Sequence, residues 1–145
     1  MSGDVYHEMF FHLIWHAKES RPLIYAEREK ELYQFIQQRA LQPGGVYVHE
    51  IGGTENHVHL VVRVNPNLPI PDWIGKVKGG SSHDHNKRFE NKGVLAWQNG
   101  YGIIGFGMND LPWVLQYVQN QKEHHRKGTI FDRLERTEPE EGGGA

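Results

Sequence analysis

The stretch His57–Val62 has the clearest pattern of apolar and polar positions in the chain, an apolar run interrupted by two histidines. The pattern predicts a β-strand, in which successive side chains point to opposite faces, so His57 and His59 share one face. The other face carries aliphatic side chains only: Val58, Leu60, Val62 and Val64. We predict that this aliphatic face belongs to the core and that the two imidazoles form a platform for a metal ion. Two polar residues on a solvated sheet face would show the same spacing, so the strand alone leaves both interpretations open.

The rest of the chain alternates between strand-like and helix-like segments, with glycine and proline at the boundaries. Aromatic and β-branched residues predict strands at 6–16, 46–51, 57–64 and 96–106. Helix-forming residues predict helices at 26–41, at 72–89 and from a cap at Asn109 or Asp110 to 127, where Gly128 stops the last one. This order predicts an α+β fold: a ferredoxin-like (RRM-like) four-stranded antiparallel sheet with two helices packed on one face, plus a C-terminal helix.

Composition narrows the kinds of site that such a fold can carry. The 145 residues fit one domain, which we place at residues 1–136, followed by an acidic, glycine-rich tail at 137–145 that we predict is disordered. The chain contains no cysteine, which excludes disulfides, thiolate metal sites and cysteine nucleophiles. No apolar run is long enough to span a membrane and the N-terminus does not resemble a secretory signal, so we expect a cytoplasmic protein with no membrane partner.

The last predicted helix carries a second group of candidate residues. Tyr117 and Gln121 are spaced i, i+4, which places them one turn apart on the same helix face. For an isolated pair, a buried tyrosine packed against a glutamine is the simpler interpretation. If the helix lies against the face of His57 and His59, the Gln121 oxygen supplies a third metal ligand and Tyr117 points at whatever the metal binds.

Five blocks of sequence in a fixed order make a more specific pattern than either pair. Besides NHVHLVV, the chain contains FHLIWHAKESRPLI, KVKGGSSHDHNKRF, LAWQNGYGIIGFG and YVQNQKEHHRKGTIF, which together cover about residues 6 to 135. In sequence and order these blocks resemble the single-tyrosine HUH transposases of the small insertion-sequence family, whose motif is His-hydrophobic-His plus one catalytic tyrosine. One departure is Asn56, where an aspartate is common in the family.

The resemblance implies a site and a reaction. His57 and His59 match the metal-binding histidines of the family, Gln121 matches its third ligand and Tyr117 its nucleophile. The implied cofactor is Mg²⁺ or Mn²⁺, although imidazole and amide ligands by themselves favour manganese, zinc or another transition metal over magnesium. The implied reaction is attack of Tyr117 on a phosphate of single-stranded DNA, which forms a 5′-phosphotyrosine and later rejoins strands to move an insertion sequence.

The resemblance also implies a DNA substrate, a homodimer and a hinge. We expect single-stranded DNA with hairpin ends as substrate, and a homodimer with composite active sites in which Tyr117 reaches the histidine pair of the other subunit. Gly105 and Gly107 are candidate hinge residues, although glycines there would equally serve turns or a bulge. No nucleotide cofactor is expected, because GYGIIGFG lacks the phosphate-loop pattern GxxxxGK[ST]. The roles of His124 and His125 stay open between DNA contact and compensation of the helix dipole.

Charge is modest overall and concentrated locally. The net charge of −2 argues against a strong nucleic-acid footprint over the whole surface, but part of the acidic excess lies in the tail. The segment 76–92 is basic, and its candidate DNA contacts are Lys76, Lys78, Ser81, Ser82, Lys87 and Arg88. A solvated helix face explains the same charges equally well. Trp73, Trp97 and Tyr101 could stack on unpaired bases, though each is more typical of a core residue.

Three other functions remain compatible with the sequence. A non-catalytic nucleic-acid-binding module of the same architecture would need neither Tyr117 nor Gln121. A domesticated relative would use the same chemistry to nick hairpin repeats without moving an element. A metal hydrolase would use water as its nucleophile and leave Tyr117 a structural role.

Overall fold

The structure, a computed structural model, describes residues 5–139. It contains four strands and four α-helices, which we number in chain order. They are β1 (Phe10–His16), α1 (Glu29–Leu41), β2 (Val46–Gly53), β3 (His57–Val64), α2 (Ile70–Arg88), β4 (Gly102–Phe106), α3 (Leu111–Gln119) and α4 (Gln121–Lys127).

The four strands form one sheet in the order β2-β3-β1-β4, and every neighbouring pair is antiparallel. The turn between β2 and β3 is short, so these strands pair as a hairpin, whereas β1 reaches its neighbours only through the helical connections. A β-bulge interrupts the β2–β3 register between Val48 and Glu50. This is the predicted ferredoxin-like α+β architecture, which the structure confirms.

The larger core lies between the sheet and the helices α1 and α2. In α1 the buried side chains Leu32, Ile36 and Ala40 are spaced four residues apart, which places them on one face of the helix. The indole Nε1 of Trp73 donates a hydrogen bond of 3.0 Å to the carbonyl of Ala40, which joins α2 to the end of α1. Trp73 is therefore a core residue. The sheet contributes its apolar face to this core: Leu13, Trp15, Val58, Leu60, Val62 and Val64.

The opposite face of the sheet is covered by α3 and by the segment that follows α4. Val114 and Val118 of α3 pack with Val61 of β3 and with Leu134, and all four are buried. Helix α3 approaches β2 closely, since a Cβ atom built on Gly52 would lie 2.2 Å from the carbonyl oxygen of Val118. The histidines of β1 and β3 point to this second face and lie beneath α3, α4 and the C-terminal segment.

Two predicted strands are shorter in the structure than in the sequence pattern. The predicted strand 6–16 is paired only from Phe10. The partners of residues 6–9 would have to follow Val64, where β3 ends. The predicted strand 96–106 is paired from Gly102, and upstream of it Trp97 forms only a single bridge with Ala17. The two parts are separated by Gly100, whose φ of 90° is not an extended conformation.

The last predicted helix is divided in two. Asn120, with φ −105° and ψ 27°, leaves helical geometry, so α3 ends at Gln119 and α4 begins at Gln121. The Asn120 side-chain amide and its backbone N–H both donate to the carbonyl of Gln116, which compensates the interrupted ladder. The predicted end of the second helix at Gly128 is confirmed, since Gly128 has a left-handed φ of 71°.

Within residues 5–139, no helix is long and apolar enough to cross a membrane. Most of the predicted tail, residues 140–145, lies outside the described residues.

Candidate metal and nucleophile site

Two strands and the C-terminal elements place polar side chains at one position beneath α3. The antiparallel register sets Ile14 opposite His59 and His16 opposite His57, so His12 lies diagonally next to His59 on the same face. His57 is 2% exposed, and His12 and His59 are fully buried. This face of the sheet is therefore a buried cluster of imidazoles, and the solvated-face interpretation is wrong.

The hydrogen bonds around Nδ1 of His57 define which ring nitrogen carries the proton. The Asn56 amide nitrogen donates to the Ser20 carbonyl at 3.3 Å, which turns Oδ1 of Asn56 toward the His57 ring. The Thr54 hydroxyl donates to the same Oδ1 at 3.0 Å, so the His57 Nδ1–H is the donor in its 2.8 Å contact with Asn56. Nε2 of His57 therefore presents a lone pair to the site.

Gln121 presents a second acceptor to the same point. Its Oε1 lies 3.0 Å from Nε2 of His57, while its amide nitrogen donates to Oε2 of Glu135 at 3.4 Å. Two lone-pair atoms this close repel each other unless a cation lies between or beside them. Gln121, the first residue of α4, thus contacts His57, the first residue of β3. The spacing of Tyr117 and Gln121 predicts this contact if their helix lies against the histidine face.

His59 is held by a second histidine. Its Nδ1 lies 2.6 Å from Nε2 of His12, so the two buried rings share one hydrogen bond. Nε2 of His59 lies 3.4 Å from Oε1 of Glu135 without hydrogen-bond geometry. His59 is thus held through Nδ1 by its neighbour His12, while its Nε2 lies in the polar cluster. This is the usual arrangement of a histidine that binds a metal ion.

Glu135, in the segment after α4, is the centre of the cluster. Its Oε1 lies 3.5 Å from Nε2 of His57, 3.4 Å from Nε2 of His59 and 3.3 Å from Nε2 of His125. Donor atoms of these four residues all lie within 4.8 Å of one another, which is close enough for a single metal ion. Burial raises the pKa of Glu135, but the neighbouring His59 imidazole outweighs burial and lowers the pKa to about 2.

Tyr117 lies beside this cluster and is 5% exposed. Its hydroxyl donates to Oε2 of Glu135 and accepts a 2.9 Å hydrogen bond from the backbone N–H of Phe131. Burial, followed by the hydrogen bond to Glu135, raises the pKa of Tyr117 to about 12. The Tyr117 ring is stacked with those of Trp113 and His124, with ring centroids 6.0 Å and 4.7 Å away. The tyrosine is thus a neutral phenol at pH 7, fixed in orientation.

The charge state of the site favours a cation. Burial, with the neighbouring His59 as a second cause, lowers the pKa of His57 to about 3, and burial also lowers that of His12 to about 3. Both imidazoles are therefore neutral at pH 7 while the Glu135 carboxylate is ionised. Neutral imidazole nitrogens, an amide oxygen and one carboxylate form a donor set that fits a divalent metal ion.

The structure brings together four of the predicted residues: His57, His59, Tyr117 and Gln121. The predicted basic residues lie on α2, across the sheet from the histidines, and several contact protein groups. The Lys78 ammonium donates to the carbonyls of Gln98 and Gly100, both at 2.8 Å, and the buried Ser81 accepts from the Trp97 indole. The remaining members of that group are Lys76, Ser82, Lys87 and Arg88; Lys76 pairs with Asp72 and Arg88 with Glu31.

Other candidates have ordinary surroundings. Gly105 lies within β4 and Gly107 has an extended φ of −91°, so neither has a left-handed backbone, and their role as a hinge stays a prediction. Trp97 and Tyr101 pack against the main core.

Sequence reasoning missed Glu135 and His12, and it left the role of His125 open between DNA contact and compensation of the helix dipole. His12 had a readable signal, because it lies on a predicted strand four residues from His16 and alternates with apolar neighbours. Glu135 had none, because the segment after Gly128 lacks any periodicity and its position depends on contacts with α3 and β4.

Comparison with known proteins identifies the family to which this chain belongs. The model of the family described as IS200-like transposases matches residues 5–121. The chain therefore belongs to the IS200-like transposase family, and membership of this family implies a DNA-cleaving activity. The resemblance drawn from the sequence blocks is confirmed.

Individual relatives cover most of the chain. It is 25% identical to the ISDra2 transposase TnpA of Deinococcus radiodurans over 126 residues, which is 83% of this chain and 89% of the relative. It is 20% identical to the transposase for insertion sequence element IS200 of Salmonella typhimurium over 123 residues, 81% of this chain and 80% of the relative.

Solved structures share the fold. A crystal structure of a candidate transposase from Deinococcus radiodurans R1 aligns with a TM-score of 0.64 at 23% identity, covering 81% of this chain and 94% of that one. A REP-associated tyrosine transposase bound to a REP hairpin aligns with a TM-score of 0.61 at 10% identity, covering 87% and 73%.

Proposed function

We propose that this protein cleaves and rejoins single-stranded DNA at the ends of an insertion sequence, with Tyr117 as the nucleophile. The observation that carries the proposal is the position of the Tyr117 hydroxyl: it reaches Oε2 of Glu135, whose other oxygen faces His57 and His59. A phenol oriented at a cation-binding cluster, in a chain of the IS200-like transposase family, supports phosphoryl transfer to tyrosine.

The proposed step balances without any co-reactant. Oη of Tyr117 forms a bond to a backbone phosphorus, the bond from that phosphorus to the 3′ oxygen breaks, and the phenolic proton is balanced by the proton gained at the released 3′-hydroxyl. One phosphodiester is exchanged for another, so the reverse reaction with a different 3′-hydroxyl joins strands without nucleotide hydrolysis.

The residues around Tyr117 account for its orientation. The backbone N–H of Phe131 donates to the phenolic oxygen at 2.9 Å and would continue to stabilise negative charge there during attack. The stacked rings of Trp113 and His124 hold the plane of the phenol. Because the pKa of Tyr117 is raised to about 12, the free phenol is a weak nucleophile at pH 7 and needs help from the site.

His57, His59 and Gln121 would hold a divalent cation, Mg²⁺ or Mn²⁺ by the family resemblance. When bound, such an ion stabilises the charge that develops on the phosphate oxygens. The buried, neutral imidazoles and the Gln121 oxygen fit that role, since their lone pairs converge without a proton between them.

The proposed substrate is single-stranded DNA with a hairpin. A structural relative is described as bound to a REP hairpin, which supports a hairpin here as well. On α2, Lys76, Lys87 and Arg88 have exposed side chains that can reach phosphates, whereas Lys78 and Ser81 mainly support the fold.

We also propose that the protein acts as a homodimer, as its family resemblance implies. Within one chain Tyr117 already lies 6.1 Å, between ring centroids, from His59. Exchange of the α3 helices between subunits would place the same residues in trans, with Gly105 and Gly107 ahead of α3 as the candidate hinge. Light scattering at micromolar concentration tests the dimer, and a monomer would contradict composite sites.

The experiment that tests this function is a covalent-adduct assay. The protein is mixed with Mn²⁺ or Mg²⁺ and a set of labelled single-stranded DNA hairpins, then denatured and separated by electrophoresis. We expect a labelled protein band with the wild type and with Tyr47→Phe, a control at an exposed tyrosine on β2, and no band with Tyr117→Phe.

The other outcomes separate the alternatives. An adduct that persists in Tyr117→Phe would refute the assignment of the nucleophile. Cleavage without an adduct would indicate a hydrolase that uses water. Binding of the hairpin without cleavage, in either metal, would indicate a non-catalytic nucleic-acid-binding module.

A further inference from the structure

We propose that Glu135 is a ligand of the metal ion, so that the segment after α4 completes the site that β3 and Gln121 begin. The family match ends at residue 121, and Glu135 lies beyond it. The inference rests on the proposed function, because it assigns a further ligand to the same ion. His125, which also lies beyond the match, faces the same carboxylate oxygen.

The distances around Oε1 of Glu135 carry the inference. Three imidazole Nε2 atoms lie 3.5, 3.4 and 3.3 Å from this single oxygen. Ligands bound at about 2.1 Å to one ion are separated by about 3.0 Å in octahedral and about 3.4 Å in tetrahedral geometry. The separations in the cluster therefore match neighbouring ligands of one ion better than they match hydrogen bonds.

The unpaired nitrogens in the cluster support the same conclusion. Among the described residues, buried Nε2 atoms without a hydrogen-bond partner include those of His59 and His125. His59 is fully buried, and a buried polar atom without a partner is costly unless something else binds it. The two nitrogens lie 3.4 and 3.3 Å from Oε1 of Glu135, and a cation among the three atoms would satisfy all of them.

The chain holds Glu135 in place by contacts that do not involve the cluster. Leu134 is buried in the core under α3. On the other side, the carbonyl of Arg136 lies so close to Gly102 that a Cβ atom there would be 1.9 Å away. Two neighbours anchored in this way deliver the Glu135 carboxylate to the histidines, which is the behaviour of a preorganised ligand.

The two oxygens of Glu135 have different partners, and this links the ion to the nucleophile. Oε1 faces the imidazoles, while Oε2 accepts from the Tyr117 hydroxyl and from the Gln121 amide. A carboxylate that binds the ion through one oxygen would orient Tyr117 through the other. A site with a carboxylate and several imidazoles should also bind Mn²⁺ more tightly than Mg²⁺.

Metal binding by the DNA-free full chain tests the inference. Mn²⁺ is titrated and free ion is measured by electron paramagnetic resonance, for the wild type, Glu135→Gln and the control Asp132→Asn, an exposed carboxylate in the same segment. We expect Glu135→Gln to weaken Mn²⁺ binding at least tenfold and Asp132→Asn to leave it unchanged. The Mn²⁺-induced rise in melting temperature should likewise be lost in Glu135→Gln alone.

Two further variants make the outcomes decisive. Glu135→Asp keeps a carboxylate, and we expect intermediate affinity, which also serves if Glu135→Gln does not fold. His57→Ala is expected to abolish binding. This inference would be overturned, and the proposed function left intact, if His57→Ala lost Mn²⁺ binding while Glu135→Gln or Glu135→Asp kept the wild-type Mn²⁺ affinity. Wild-type affinity in His57→Ala would overturn the metal site itself.

Discussion

Nε2 of His57 lies 3.0 Å from Oε1 of Gln121, and both atoms present lone pairs. Asn56 and Thr54 hold the His57 proton on Nδ1, and Glu135 holds the Gln121 amide so that its oxygen faces the ring. The contact is therefore unfavourable in isolation and favourable around a cation. The sixty-three residues between the two side chains contain most of β3, then α2, β4 and α3, the helix that carries Tyr117.

The first prediction concerns the histidine behind His59. His12→Phe keeps an aromatic ring of similar size but removes the 2.6 Å hydrogen bond to Nδ1 of His59, so the ring of His59 loses its fixed orientation. We expect Mn²⁺ affinity to fall by about 10–100-fold, the usual effect of removing such a supporting residue. His49→Phe, on β2 outside the cluster, should leave the affinity unchanged in the same titration. Equal affinities in both variants would contradict the supporting role of His12.

The second prediction concerns the close approach of α3 to β2. In Gly52→Ala the new Cβ atom would lie 2.2 Å from the carbonyl of Val118, so α3 has to move. We expect the free energy of unfolding to fall by about 1–3 kcal/mol, and Tyr117 to be displaced from Glu135. Urea denaturation measures the first effect and loss of the covalent adduct the second.

Gly79→Ala is the matched control for that substitution. Gly79 is an exposed residue within α2 and a Cβ atom there meets nothing within 4 Å. Alanine is the better helix former, so this variant should be more stable than the wild type by about 0.5–1 kcal/mol. A destabilised Gly79→Ala, or an unaffected Gly52→Ala, would show that the packing around these glycines is different.

The third prediction concerns the pH dependence of stability through the pair Arg39–Asp84. The guanidinium makes two hydrogen bonds to Asp84, at 2.9 and 2.7 Å, and these hold the pKa of that carboxyl below its ordinary value. Since the folded pKa is depressed, the pair stabilises the protein above the unfolded pKa of about 4 and loses its effect as pH falls through the folded value.

Two asparagine variants check this prediction. The pair is partly exposed, so Asp84→Asn should cost about 1 kcal/mol at pH 7. The difference from the wild type should disappear as the pH falls below the lowered pKa of Asp84. Asp72→Asn removes the more exposed contact with Lys76 and should change stability by less than about 0.5 kcal/mol at any pH. A pH-independent difference for Asp84→Asn would rule out the ion pair as its cause.

The parts of the molecule that were predictable from sequence are those specified by local patterns. The period-two arrangement around His57 and His59 determines which side chains face the core, and the left-handed Gly128 marks a helix end in any context. The i, i+4 spacing of Tyr117 and Gln121 also predicts their common face, even though the helix breaks between them at Asn120. These features depend on neighbours within one or two turns of the chain.

The parts that were not predictable depend on distant contacts. Glu135 enters the cluster because Leu134 and Arg136 are anchored against α3 and Gly102, and neither contact is visible in the composition of the segment. The sequence around Asn120 is typical of one continuous helix, but the structure has two helices that meet there. Lys78 and Ser81 lie in a segment whose composition is typical of a DNA-binding helix. Their polar atoms nevertheless form hydrogen bonds with the loop before β4.

Mass spectrometry of the covalent adduct tests whether the phosphate is transferred to Tyr117. The adduct with hairpin DNA and Mn²⁺ is digested with nuclease and protease, and the peptide that carries the remaining nucleotide is fragmented. We expect a nucleotide attached through phosphate to Tyr117 and to no other residue. A modified serine or histidine, or cleaved DNA with an unmodified Tyr117 peptide, would contradict it.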